Sequence, residues 1–500
     1  MNIEILISLP ILIPLTGAAV GIIFWRYQKF QGLFSLALVA ISTFISGSLL
    51  LTVWSNSTPI ILEMGGWKPP YGINLVGDLL STIMVFMSQI VILAAFLYAN
   101  GCKDKCVKNP AFYPLFLALT GALTGTYLTG DLFNLFVFTE LLVISGAALT
   151  ALSDDKRGTE AAYKYFYISL LASFSLLMGC GLIYASFGTL NLADLAVRIS
   201  NGQNSLLITG AFIFILVFFM TKSAIIPFHF WQPDFHTAAP TPVHAVLSSV
   251  VVKLGVYGFI RMTTLLFVDQ KEMIESLLII TGVLGLFIGG LGATGTFDAK
   301  RMLAYSTLSQ LGFILIGIGW GTTWSLAAAI IYVFNHSLIK AALLMLAGNV
   351  TSRAGVKSAA FKNIQGLGRV NITAGVLFLV GSMALAGLPP TNGFISKLSL
   401  FKSGIENGNF FVISMMAIAG LITLIYTTRA FMKIWWDPII EDQKIKPKGD
   451  QVIAPLLLIT ACIAIGFWSQ PLVRLANDTA SWLQDRNHYI EIVLNKKEIK

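Results

Sequence analysis

The sequence predicts an all-α polytopic membrane protein, and three observations carry that prediction. Apolar residues make up 56% of the 500-residue chain and charged residues only 11%, against about 25% charged in soluble domains. The apolar residues fall into about fourteen runs close to the ~20 residues an α-helix needs to cross a bilayer. The Lys and Arg residues sit in short loops between those runs, as the positive-inside rule requires. The net charge of +9 therefore points to a membrane surface and not to nucleic acid.

The runs cover residues 3–25, 31–54, 78–100, 112–129, 131–152, 162–187, 205–227, 242–267, 274–296, 302–320, 324–349, 371–404, 409–432 and 451–470. The first lacks a basic lead and a small-residue cleavage site, so it reads as a span and not as a signal peptide. One set of loops holds Arg26 and Lys29; Lys103, Lys105 and Lys108; Lys156, Arg157 and Lys164; Lys300 and Arg301; Arg353, Lys357, Lys362 and Arg369; and Arg429, Lys433, Lys444, Lys446 and Lys448. The alternate set holds only Lys68, Arg198, Arg261, Lys271 and Lys402. This places the first set in the cytoplasm and both termini on the outer side of the cell inner (plasma) membrane. The basic tail (Arg474, Arg486, Lys496, Lys497, Lys500) runs against that bias, after the last span.

Two runs are interrupted. The seventh carries Lys222 and then meets Pro227; the twelfth is broken by Gly387-Leu388-Pro389-Pro390 and then carries Lys397. They lie five spans apart, and an odd number of helices per unit reverses the second copy. Helices 4–8 and 9–13 are thus expected to form two inverted five-helix repeats with broken helices 7 and 12, the layout in which transporters build a site near the midplane. The corresponding domains are 1–110 (helices 1–3), 111–270 (first repeat), 271–436 (second repeat) and 437–500 (helix 14 and the C-terminal tail).

Ionisable residues inside the spans are costly, at least ~2.5–3.5 kcal/mol for a centred lysine, and are rarely present without a use. Glu140 stands mid-span in GDLFNLFVFTELL, either protonated and hydrogen-bonded or paired with an intramembrane lysine; the chain supplies Lys222 and Lys253 as partners. A buried lysine that gains and loses a carboxylate partner can alternately hold and release a proton. The alternative for Lys222 and Lys253 is snorkelling to the surface. His336 and Lys340 are four apart and share one helix face, as a relay or as paired structural hydrogen bonds. Lys397 closes the series. His229, His236 and His244 are spaced by seven and eight residues across prolines, which fits secondary relay or structural hydrogen bonding better than a metal site. Cys102 and Cys106 flank a charged loop, and Cys180 and Cys462 lie in apolar runs, so no metal and no cofactor is expected. The chain has no phosphate-binding loop, iron–sulfur CxxC run or nucleophile elbow. A gradient or a partner subunit must supply the energy.

The segments GDLFNLFVFTELL, TKSAIIPFHFWQPDFHTAAPTPVHAVLSSVVVKLGVYGFIR, AYSTLSQLG, FNHSLIKAALLMLAG and GLPPTNGFISKL resemble the antiporter-like membrane subunits shared by Mrp cation/proton antiporters, respiratory complex I and membrane-bound hydrogenases. The resemblance covers roughly residues 70–430. The first half is most similar to the D-type subunits of the Mrp antiporters. The resemblance implies that Glu140 pairs with Lys222, that Lys253, His336 and Lys340 continue a proton route, and that Lys397 ends it. It also implies other membrane subunits as partners, with protons and Na⁺ (the candidate cation) as the transported ions. The expected function is therefore a proton-translocating subunit of a multi-subunit cation/proton antiporter. A redox-driven pumping subunit without a redox centre of its own is the alternative, and a scaffold that moves nothing is the third reading.

Overall fold

The computed structural model describes residues 3–153, 155–201, 206–356, 358–439, 446 and 449–494. Lys357, Lys444, Lys448, Lys496, Lys497 and Lys500, invoked above for orientation, lie outside the described residues.

From the N-terminus, α1 (Leu9–Ile23) and α2 (Gln28–Asn56) pack against α3 (Leu79–Asn100) and α4 (Phe112–Leu128). An antiparallel hairpin, β1 (Ile60–Glu63) and β2 (Asn74–Gly77), joins α2 to α3 with Ile60 opposite Gly77. The helices α5 (Leu132–Ala151), α6 (Lys156–Phe187), the short α7 (Leu192–Asn201), α8 (Leu206–Lys222), α9 (Trp231–Ala238) and α10 (Thr241–Leu266) complete the first half. The second half runs through α11 (Lys271–Gly295), α12 (Ala299–Gly319), α13 (Thr323–Ala354), α14 (Ile372–Ala386), α15 (Asn392–Glu406) and α16 (Phe410–Trp436). It ends in α17 (Ile453–Phe467), α18 (Gln470–Gln484) and α19 (Arg486–Val493). Among the described residues nine helices are long and apolar enough to cross a bilayer, three shorter apolar helices accompany them, and two helix pairs are sharply bent.

Polar caps start several of these helices. Asp78, Asp131, Asp155 and Asp298 each accept from a backbone N–H of the first turn, at 2.8, 2.8, 2.6 and 3.0 Å. Thr322 and Ser325 form a reciprocal capping box on α13. Each satisfies an orphan donor that would otherwise be exposed to the apolar phase. Close helix approach relies on small residues: a Cβ at Gly289 of α11 would strike the backbone nitrogen of Ser309 on α12.

The core is organised on α13. Its residues from Ser325 to Thr351 are all buried, and it touches α3, α10, α12, α14, α15, α17 and α18. Both sequence-marked interruptions are present. α8 stops at Lys222, and irregular chain runs to α9. α14 stops at Ala386 because Gly387 takes a left-handed conformation, φ +86°, open to glycine without steric cost, and α15 begins after Pro390. The last run bends by 80° between α17 and α18. The tail beyond it is helical: α18 has an apolar stripe, with Leu475, Ala476, Thr479, Ala480 and Leu483 buried.

Candidate functional site

The breaks leave backbone groups at membrane depth, and side chains satisfy them. At the end of α8 the carbonyl of Thr221 accepts from Trp231 Nε1 (3.2 Å). Within α10, residues Leu247–Val251 form a π-helical stretch, a feature that recurs at functional sites. Its loosened ladder turns carbonyls outward. Ser248 O accepts from Lys253 Nζ (3.4 Å), Ser249 O from Ser337 Oγ (2.9 Å), Val250 O from Tyr127 Oη (3.2 Å) and Val252 O from Ser223 Oγ (3.2 Å). Lys253 is thus fixed, fully buried, against the irregular turn of its own helix.

The other lysines take different partners. Lys222, 8% exposed, has no hydrogen-bond partner for its Nζ among the described residues; it lies 5.5 Å from the Phe218 ring centroid, within the field of Glu140. Glu140 is half-buried on α5, and its Oε1 also has no partner there. No ion pair within 4 Å joins the two among the described residues, so the geometry is electrostatic proximity and not a closed salt bridge. Lys340, on α13, donates to Leu303 O and to Ser306 Oγ of α12. Lys397 reaches back across the α14–α15 break, donating to Ala386 O (2.7 Å), with the Phe313 ring at 4.9 Å.

The histidines link these groups unevenly. His336 is buried, one turn from Lys340, within the electrostatic range of Lys253, Lys340 and Lys397. Neither of its ring nitrogens has a protein partner among the described residues, and the same holds for His244. His236 bonds Gln232 (2.8 Å), and its ring centroid is 5.8 Å from that of His244. His229 sits part-exposed in the turn after α8. The structure therefore gathers Lys253, His336, Lys340 and Lys397 at the junction of the halves, with His236 and His244 beside them. Glu140 and Lys222 lie to one side and His229 outside the cluster.

Of the neutral side chains of this junction, sequence reasoning did not single out Thr307, Gln310, Tyr332 or Thr423. Ser248 Oγ and Thr307 Oγ1 are 2.7 Å apart, Tyr332 Oη donates to Gln310 Oε1 (2.6 Å), and Gln310 Nε2 donates to Thr423 Oγ1 (3.3 Å). Gln310, Tyr332, His336 and Ser396 line one small internal cavity. Asn335 and Asn392 bond each other across α13 and α15, and Asn335 also donates to Ser396 Oγ. The available signal was Ser306, Thr307 and Gln310 clustered in an otherwise apolar span.

At the end bearing the basic loops a cleft opens between Lys103, Asp155, Asp298 and Asp450 and reaches Thr241 and Lys300. Lys300 Nζ donates to Thr241 Oγ1 (3.0 Å), three residues from His244. Asp450 is locked there by Tyr98 Oη (2.7 Å) and Lys103 N (2.9 Å). No group of three or more His, Cys, Asp or Glu suited to a metal ion occurs among the described residues.

Residues 129–423 match the family described as NADH:quinone oxidoreductase/Mrp antiporter, TM. The chain is 33% identical to the D subunit of the Na⁺/H⁺ antiporter of Alkalihalophilus pseudofirmus, over 98% of this chain and 99% of that protein. It is 32% identical to the protein of the same name from Bacillus subtilis, over 98% and 99%. Its fold superposes on a chain of the Mrp complex of a Dietzia species with TM-score 0.91 and 24% identity, covering 99% of this chain and all of that one. It also superposes on a chain of the membrane-bound sulfane sulfur reductase, an archaeal respiratory membrane complex, with TM-score 0.90 and 29% identity over 98% and 100%. A bundle with two interrupted spans, intramembrane lysines at the junction of its halves and these full-length likenesses belongs to the NADH:quinone oxidoreductase/Mrp antiporter membrane-subunit family.

Proposed function

We propose that this chain is the proton-translocating subunit of a multi-subunit membrane cation/proton antiporter. Protons pass among Glu140, Lys222, Lys253, Lys340, His336 and Lys397, with His236 and His244 as secondary members. The observation that carries the reading is the gathering of Lys253, Lys340 and Lys397 around one buried histidine whose ring nitrogens find no protein partner among the described residues. Four costly ionisable groups held together at membrane depth are economically explained by proton transfer. The cleft ending at Lys300 and Thr241 is the opening toward His244 on the cytoplasmic side.

The basic loops then face the cytoplasm, both termini face outward across the cell inner membrane, and helices 4–8 and 9–13 act as the two inverted units. The named relatives support Na⁺ as the cation and other membrane subunits as partners. A redox-driven pump subunit is the second reading, favoured by the 29% identity to a chain of an archaeal respiratory complex.

The test uses inverted vesicles carrying the whole complex. Na⁺, K⁺ or Li⁺ is added against an imposed pH gradient without an electron donor, for wild type, Glu140→Ala and Lys222→Ala. Collapse of the gradient by wild type alone supports exchange. A response that needs a redox substrate supports the pump reading. Mutants that assemble and exchange normally would remove Glu140 and Lys222 from the route.

A further inference from the structure

Lys253, Tyr257 and Arg261 follow one another at four-residue spacing on a single face of α10, and all three are buried, at 0, 2 and 5% exposure. Eight residues of helix carry this row roughly 12 Å from Lys253 toward the end of the bundle opposite the basic loops. There Arg261 Nη2 meets Asp78 Oδ2 at 2.5 Å and Ser81 Oγ at 3.0 Å, while its Nε donates to Tyr257 Oη at 3.2 Å. Tyr257 Oη donates to Tyr127 O (3.1 Å). Asp78 is the N-cap of α3, so the ion pair ties the first three-helix unit to the lysine-bearing helix.

The C-terminal tail closes over this pair. The Tyr489 ring of α19 lies 5.5 Å from the Arg261 guanidinium, and the Tyr257 ring lies at 5.1 Å. Tyr489 is 3% exposed and packs edge-on against Trp482. The tail is pinned at two points ahead of this contact. Arg486 donates to Ala196 O, and Asp478 accepts from Trp54 Nε1 (2.8 Å). The amphipathic stripe of α18 is therefore used in covering the bundle, with Gln484 reaching Gly321 O at 3.5 Å.

We propose that Arg261, held by Asp78 and capped by Tyr489, is the outer seal of the proton route, a positioning residue that confines a proton on Lys253 to the sideways path toward His336. This rests on the proton-translocation reading above. Guanidinium stays protonated throughout the physiological range and passes no proton on. A fixed positive charge in a narrow polar path repels hydronium, as in pores that exclude protons with an arginine. Tyr257 Oη meets Arg261 Nε at 3.2 Å and Ser81 Oγ at 3.4 Å, and Ser81 Oγ itself accepts from Arg261 Nη2, so a proton leaving Lys253 outward along either branch passes the cation before it reaches the Asp78 carboxylate. The tail keeps water from the ion pair, which preserves the strength of its field.

The experiment reconstitutes the whole complex in liposomes with an entrapped pH dye. Passive proton leak is read under a valinomycin K⁺ potential, and Na⁺-driven exchange is read on the same vesicles. The variants are Tyr489→Ala, which removes the cap, and the double Arg261→Gln/Asp78→Asn, which removes both charges so that neither is left unpaired. The expected leak rises about threefold for the first and about tenfold for the second, with exchange measurable before the gradient decays. Wild-type leak in an assembled double variant overturns the seal. If the double variant does not assemble, Tyr489→Ala decides alone, and a wild-type leak there overturns it equally. Absence of exchange from wild type would count against the functional reading, whereas unchanged leak in variants that exchange normally counts against the seal only.

Discussion

Lys397 Nζ donates a 2.7 Å hydrogen bond to the carbonyl of Ala386, the last residue of the helix on the other side of the break. The ammonium thus caps a helix C-terminus, where the macrodipole favours a cation. The same bond ties the position of the charge to the geometry of the interruption. Among the described residues Lys222 has no such anchor, and it answers to Glu140 through space.

Lys397→Met is expected to abolish exchange and to leave Ala386 O without its donor. An unsatisfied buried acceptor costs about 1–3 kcal/mol; Ala386 O is only partly buried, so thermal unfolding of the purified complex moves down by a fraction of that cost as exchange disappears. Lys397→Arg retains a cation at the break and keeps more of the stability than of the exchange.

Lys222→Ala behaves differently. Its Nζ makes no hydrogen bond among the described residues, so the variant assembles and unfolds close to wild type while exchange falls by about a hundredfold or more, the range ascribed to a positioned proton-transfer group. Glu140→Gln gives the same profile. A variant of either kind that exchanges at the wild-type rate in the vesicle assay removes these residues from the route.

Tyr332→Phe deletes the hydroxyl that Gln310 accepts at 2.6 Å, beside the cavity shared with His336 and Ser396. The expected result is exchange slowed on the order of tenfold with the complex intact, because the ring and its stacking on Phe313 are retained. Unchanged initial rates of gradient collapse would make the hydroxyl structural.

Cys102, in the loop after α3, tests the Asp450 contacts at the end bearing the basic loops. Burial and the Asp450 carboxylate, 3.5 Å from its sulfur, push the thiol well above its ordinary value. Only the thiolate reacts, so with Cys106, Cys180 and Cys462 replaced, maleimide labelling at neutral pH is slow and rises with pH only above the usual thiol range. Asp450→Asn removes the negative charge, lowers the thiol toward its ordinary value and speeds labelling. Equal rates in both proteins would detach Cys102 from Asp450.

The class of the protein, the two interrupted spans and the ionisable residues inside them were legible in the chain because hydropathy is a local property. A helix in lipid satisfies its backbone within one segment, so span and break are written in consecutive residues: Lys222 before Pro227, and Lys397 after Pro389-Pro390. The partners of the charges were not legible. Lys340 bonds residues 37 and 34 positions away, and Lys253 bonds a carbonyl exposed by a π-helical turn that no spacing rule announced. The tail read as a basic stretch after the last span, yet Tyr489 of α19 covers Arg261 and α18 buries an apolar stripe. Sequence alone therefore determined which groups must be buried and where the helices fail. Tertiary structure decided what each buried charge touches: Lys253 and Lys397 find carbonyls freed by a π-helical turn and by a helix break, whereas Lys340 and Arg261 find partners on other helices, which come within reach only when distant segments pack together.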